Sequence, residues 1–330
     1  MKKEILKFLK EANGNFVSGG ELAKNFSVSR TAIWKHINTL RNIGYKISGS
    51  EKLGYKLEDF PDLLAPEIIQ HNLQTEIVGA GEKFFYFDSV DSTNNVAKKL
   101  AADNAEDGTV VVAEEQTGGK GRLDRNFFSP KGRSILFSVI LRPKCLPKDA
   151  PKFTLLAAVA VALAMEKFNL RAEIKWPNDI MHGEKKLVGI LTEMNAAIEQ
   201  VNYIVVGIGI NVNFSRADFP ADIEKIASSL SEIAGKNIVR RKFFQTLLEE
   251  FDKLYLEVRK AGFGKIFDLW RKFNVTLDRE VKIISAESGE SFFGKAIDID
   301  ADGALIVETE LGRRTVYAGD VSVRNTTGGK

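Results

Sequence analysis

The sequence predicts a multidomain α+β protein. It reads as an N-terminal winged helix-turn-helix, a central α/β domain built on one mixed sheet, and a small C-terminal SH3-like β-barrel. Three observations carry this reading. The chain has 330 residues, more than one ordinary domain needs. Residues 1–58 hold eleven Lys and Arg against five acids, a charge of +6 within a total of +3, so the basic excess is local and −3 is left for the remainder. The hydrophobic pattern is helical at the N-terminus, mixed through the middle, and alternating from Leu277 onward. The expected domain limits are 1–64, 65–275 and 276–330.

Residues 2–12 set Ile5, Leu6, Phe8 and Leu9 on one helical stripe, and Asn13-Gly14 ends it. Ser18 and Glu21 form a capping box for a second helix over Leu22, Ala23 and Phe26. Ser29 opens a third, expected to bury Ala32, Ile33, Ile37, Leu40 and Ile43 and to show Arg30, Thr31, Trp34, Lys35, Asn38 and Arg41 on its other face. Two short strands at 46–47 and 54–57, joined by SGSEKL, make a wing. Helix, tight turn, helix and wing with a basic outer face is an arrangement that lays a recognition helix in a major groove. Arg30 and Thr31 at the helix start are placed to reach bases together with Trp34 and Asn38, whereas Lys35, Arg41 and Lys52 suit phosphates. A three-helix protein-interaction domain with a solvated basic face is the alternative.

Pro61 and Pro66 flank a linker, and a brief helix follows over 66–73. Strands are expected at 83–88, 109–114, 134–141, 173–175, 186–194 and 203–211, with a buried helix at 153–168. The polar run Asp91-Ser92-Thr93-Asn94 reads as a helix cap. Surface helices at 241–259 and 266–273 complete the body, and the tail NTTGGK reads as frayed.

Composition narrows the function classes. The hydrophobic fraction is 44% and the charged fraction 28%, as in a folded soluble domain rather than a disordered chain. The lone Cys145 allows no internal disulfide, and three scattered His give no zinc pattern. The start MKKEILKFLKEA interleaves charge with apolar residues unlike a signal peptide, and the apolar run 155–165 is too short to span a bilayer. A cytoplasmic protein without membrane contact is expected.

The stretch QTGGKGRLDRNFFSP at 116–130 packs Gly118, Gly119 and Gly121 against Lys120, Arg122 and Arg125. Backbone can approach an anion closely there while cations surround it, which describes a phosphate site. It is neither GxxxxGK[ST] nor GxGxxG. Taken alone it could equally be a glycine-rich surface loop with solvated charges.

Four stretches then stand together: DSTN at 91–94, EEQTGGKGRLDR at 114–125, KWPND at 175–179 with KKLVGIL at 185–191, and GIGINVN at 207–213. In this order and spacing they resemble the biotin protein ligase family. With the winged helix in front, they resemble its bifunctional bacterial members over nearly the whole chain. The resemblance implies a class II synthetase-type catalytic domain, and a ligase that also represses biotin genes. It implies ATP and Mg²⁺, and two steps: biotin's carboxylate attacks the α-phosphate to give biotinyl-AMP, and a lysine of biotin carboxyl carrier protein takes the acyl group. It assigns Ser92, Thr93, Asn94 and Gln116 to the biotin ring end, and Lys120, Gly121 and Arg122 to the carboxylate and phosphate. Lys186 matches the family lysine that reaches the carboxyl and α-phosphate oxygens, making Arg122 and Lys186 the expected catalytic cations. Asn211 matches the asparagine near the adenine, Gly207 and Gly209 let a strand pass close to ligand, and Asp179 and Arg125 stand behind as supports.

Lys120 replaces a frequent arginine, Asp124 adds an anion, and Phe127 stands where tryptophan is common. Point charge survives at 120, but bidentate geometry does not. Segments 118–126 and 215–230 are expected to order with adenylate and favour a homodimer on operator DNA, though a plain surface helix around 223–230 would look the same. The alternatives are a biotin-sensing regulator without catalysis, a lipoate or octanoyl transfer enzyme, and a transcription factor with an unrelated ligand.

Overall fold

A computed structural model describes residues 1–122, 127–285, 289–318 and 321–325. The chain divides into two compact units, Met1–Leu63 and Leu64–Lys330.

In the first unit, α1 (Lys2–Glu11), α2 (Gly19–Asn25) and α3 (Arg30–Asn42) precede an antiparallel hairpin of β1 (Lys46–Ser50) and β2 (Gly54–Asp59). Ile5, Leu9, Leu22, Ile33, Ile37 and Leu40 form its core, whereas Ala32 is half-buried and Ile43, at the C-cap beyond the last turn of α3, is 52% exposed, contrary to expectation. Ser18 Oγ accepts from Glu21 N–H at 3.0 Å and Ser29 Oγ from Ala32 N–H at 3.1 Å, so both expected caps form. The hairpin is longer than its apolar residues suggested, because the polar Ser48, Gly49 and Ser50 also pair with β2. Gly54 has φ +98° and a Cβ there would lie 2.0 Å from Val17 O, so this tight approach of the wing needs glycine.

The second unit opens with α4 (Pro66–Ile69), β3 (Phe84–Phe87), α5 (Thr93–Ala102), β4 (Thr109–Ala113) and β5 (Ser134–Leu141). It continues through α6 (Ala150–Lys167), β6 (Glu173–Lys175), β7 (Asp179–His182), β8 (Lys185–Ala196) and β9 (Val201–Asn211). Together the strands form a seven-stranded sheet in the order β3-β4-β5-β9-β8-β7-β6. Only β3 and β4 run parallel, which makes the sheet mixed as expected. α7 (Leu230–Ala234), α8 (Arg240–Ala261) and α9 (Gly264–Phe273) follow. Side chains alternate along the strands: Val110, Val112 and Phe137 join the large core with α6 and α8, while Val111 and Ile140 meet Ala97 and Ala101 of α5 on the opposite face.

Two features differ from the sequence reading. β7 had no expectation, being a four-residue strand between polar KWPND and the Gly183 turn. The stretch 223–230, readable as a helix, has turns to residue 226 and a helix only from Leu230. Residues 226–228 instead pair with the backbone of Lys186, and Ser229 caps α7 through Glu232 N–H.

The chain ends in a five-stranded antiparallel sheet in the order β13-β12-β11-β10-β14: β10 (Glu280–Ser285), β11 (Ser291–Ile299), β12 (Leu305–Thr309), β13 (Gly312–Val316) and β14 (Val321–Asn325). Its turn is fastened to the body, with Trp176 Nε1 donating to Gly303 O at 3.1 Å and Lys152 bridging Asp149 and Asp302 at 2.9 and 3.0 Å. Trp176 is therefore core. At the other end of the body, the buried Glu114 carboxylate accepts from Leu64 N–H at 3.1 Å and from Arg240 at 2.8 Å, which holds the first residue of this unit.

Candidate active site

One cleft above β8 and β9 collects most of the residues singled out from the sequence. Ser92, Thr93, Asn94, Gln116, Lys120, Gly121, Arg122 and Lys186 all line it, with Phe127 and Asn178 beside them. Three glycines of its floor bring no side chain. Gly189 on β8 lies opposite Gly209 on β9, and Gly207 is two residues away. A Cβ at Gly207 would sit 2.0 Å from Asn94 Oδ1, and one at Gly209 2.7 Å from the Phe127 ring. Strand glycines here admit close approach.

The DSTN run does more than start a helix. Ser92 holds the N-cap position of α5, but its side chain makes no cap hydrogen bond. Asp91 accepts from Asn95 Nδ2 at 2.7 Å, and this amide with the Ser92 N–H keeps the Asp91 carboxyl below its usual range. Thr93 donates its N–H to Gln116 Oε1 at 2.7 Å, and its hydroxyl lies 2.9 Å from the same oxygen. Ser138, buried on β5, lies 2.8 Å from Thr93 Oγ1 and 2.6 Å from Asn94 Oδ1. Asn94 Nδ2 donates to Glu193 at 2.7 Å and to Leu191 O at 3.3 Å, and Lys98 pairs with Glu193 at 2.7 Å.

Arg122 Nη1 donates to Asn178 Oδ1 at 3.2 Å and its Nη2 to Ala318 O. Asn178 is held in turn by Ile190 O at 2.9 Å. Lys186 pairs with Asp179 at 2.7 Å, the support expected of that carboxylate. Its backbone is clasped by Ile226 O and Ser228 N–H, so the 226–228 segment runs beside it.

Asn211 stands apart: it is buried at the end of β9, lines no part of this cleft, and its amide donates to Ser228 O at 3.1 Å. It fastens the same segment. Phe128, Phe214 and Phe219 pack together above, joining the end of the glycine-rich stretch to residues 214–219. Arg125 and Asp124 lie outside the described residues.

On the first unit, Arg30, Thr31, Trp34, Lys35 and Lys52 are exposed. Arg41 and Asn38 are half-buried. Arg41 donates to Ile47 O at 2.9 Å and to Asn38 Oδ1 at 3.1 Å, which braces the wing against α3.

Sequence reasoning missed Ser138, Glu193 and Gly189, and gave Asn178 no role. Ser138 sits in the apolar run SILFSVIL and reads as core, and Glu193 meets Asn94 across 99 positions with no local signal.

A fold of this kind, with a cation-rimmed cleft in one unit and a helix-turn-helix in another, defines a ligase body joined to a DNA-binding module. Residues 86–211 match the Biotin/lipoate A/B protein ligase family, residues 276–324 the Biotin protein ligase C terminal domain, and residues 2–56 an HTH domain. The Bifunctional ligase/repressor BirA of Bacillus subtilis is 38% identical over 98% of both chains. That of Escherichia coli is 30% identical over 95% of each. A solved Biotin protein ligase from Aquifex aeolicus in complex with biotin and ATP superposes with TM-score 0.64 at 28% identity, over 74% of this chain and all of that one. The chain belongs to the biotin protein ligase family.

Proposed function

We propose that the cleft joins biotin to ATP and passes the acyl group to a carrier lysine, and that the first unit applies the resulting signal at operator DNA. Membership of the family makes the chain a biotin ligase with a repressor module. The observation that carries the residue assignment is the convergence of Ser92, Thr93, Asn94, Gln116, Lys120, Gly121, Arg122 and Lys186 in one cleft.

In the first step a carboxylate oxygen of biotin bonds to the α-phosphorus of ATP, and the bond to the pyrophosphate oxygen breaks. Two anions must meet, so fixed cations lower the barrier. Arg122, held by Asn178 and Ala318 O, and Lys186, held by Asp179, supply them already oriented. Lys120 adds a third at the rim, and Gly121 leaves its backbone open to an oxygen. We assign Mg²⁺ to the ATP phosphates, as the family's chemistry implies. In the second step the carrier's neutral lysine amine attacks the acyl carbon, AMP leaves, and the amine loses its proton.

Ser92, Thr93, Asn94 and Gln116 would hold the ureido end. Asn211 would serve the adenine through the 226–228 segment it fastens rather than by lining the cleft. On DNA, the exposed Arg30, Thr31 and Trp34 would read bases, with Lys35 and Lys52 on phosphates. Arg41 and Asn38 would position the wing. We further assign a homodimer to the adenylate-bound repressor and place the protein in the cytoplasm, with domain limits 1–64, 65–275 and 276–330. No helix among the described residues is long and apolar enough to cross a membrane.

Incubation with ATP, Mg²⁺, biotin and a biotin carboxyl carrier domain, followed by mass spectrometry, tests the reading. The carrier gains one biotin on its lysine, and Arg122→Ala slows this by about a hundredfold or more. A carrier of unchanged mass, with biotin still bound to the protein, would leave a sensor in place of a ligase.

A further inference from the structure

The hydrogen bonds around Asn94 have a direction, and its origin lies outside the cleft. A carboxylate and a backbone carbonyl can only accept. Glu193 and Leu191 O therefore require the amine nitrogen of Asn94 to face them, at 2.7 and 3.3 Å. Asn94 Oδ1 is left facing Ser138, 2.6 Å away. A carbonyl oxygen must be given a proton, and Ser138 has one, so that proton belongs to Asn94. The lone pairs of Ser138 then face Thr93 Oγ1 at 2.8 Å. Thr93 cannot receive the Ser138 proton, and its own proton points to Ser138 or to Gln116 Oε1.

We infer that Glu193 is a positioning residue that sets the ring-end pocket to accept hydrogen bonds: it fixes the Asn94 amide, and through Ser138 leaves a lone pair of Thr93 for a ligand's N–H group. The inference rests on reading the cleft as the biotin site. Biotin's cyclic urea brings two N–H donors, which an accepting wall matches and a donating wall would repel. Glu193 lines an adjoining cavity that shares Ser92, Asn94 and Leu191 with the cleft, and reaches the ring-end wall through Asn94. Lys98, 2.7 Å from Glu193, neutralises the carboxylate, but the direction comes from a group that has no proton to give.

Glu193→Gln keeps the shape and removes the rule, since its amide can offer either atom and Asn94 can turn over. The test uses calorimetry of biotin binding and steady-state pyrophosphate release on the full chain. Biotin Kd and KM rise about tenfold in Glu193→Gln, while kcat stays within about twofold. Glu193→Asp recovers most of the affinity, and Lys98→Met, which removes only the ion pair, shifts KM by less than about threefold. An unchanged Kd in Glu193→Gln overturns the inference. So does a joint collapse of kcat, KM and melting temperature, which would mark Glu193 as structural. A parent protein that binds no biotin would remove the reading of the cleft itself, and the inference with it.

Discussion

At the scale of single residues, the cleft is defined as much by missing side chains as by present ones. Gly207 accommodates Asn94: a methyl there would lie 2.0 Å from Oδ1 and 2.8 Å from Cγ. Gly207→Ala therefore expels the Asn94 amide, lowers biotin affinity by at least about tenfold, and leaves the DNA-binding unit intact. Calorimetry checks the first outcome, and retardation of operator DNA at saturating biotin and ATP the last. Unaltered biotin binding would show that Asn94 does not set the pocket. The sequence made Gly207 and Gly209 legible because two glycines break an apolar strand, and Arg122 and Lys186 because cations stood in recognisable company. Ser138 and Glu193 were hidden because their partners are remote in sequence and their own surroundings look ordinary. Ser92 was half-read: it holds a cap position, yet its side chain caps nothing.

At the scale of elements, α6 is buried nearly all round and α8 covers it; the apolar run announced the burial of the first, whereas the second was expected only as a surface helix. Polar clasps then fix their register. Glu250 of α8 meets Lys167 of α6 at 2.6 Å and Lys253 at 3.0 Å. Burial would raise the Glu250 pKa, but the two ammonium groups outweigh it and hold it below the ordinary 4.5. A depressed carboxylate contributes stability above its unfolded pKa and loses it as pH falls through the folded one. Glu250→Gln should thus cost about 1 kcal/mol at neutral pH, and the gap between the two proteins should close as pH falls below the ordinary glutamate value. Urea unfolding at several pH values measures this; a constant gap would refute it. β7 and the non-helical 223–226 were not legible, since both follow from pairing with β8 rather than from their own residues.

At the scale of the whole chain, the charge imbalance foretold a separate basic unit, and Met1–Leu63 is compact by itself. The second unit anchors its own first residue, because Leu64 N–H is bound by Glu114. Residues 64–330 alone should fold, bind biotin and form adenylate, while operator DNA is no longer retarded. A fragment that is soluble but forms no adenylate would show that the first unit takes part in catalysis. The bare glycine floor has one more consequence. Where Gly189, Gly207 and Gly209 meet, the two strands bring no side chains of their own, and Asn94 and Phe127 lie in the space instead. A vitamin that needs this packed pocket binds the folded chain and not the unfolded one. The temperature at which the protein melts then rises with the logarithm of vitamin concentration, so that heat resistance itself reports on supply.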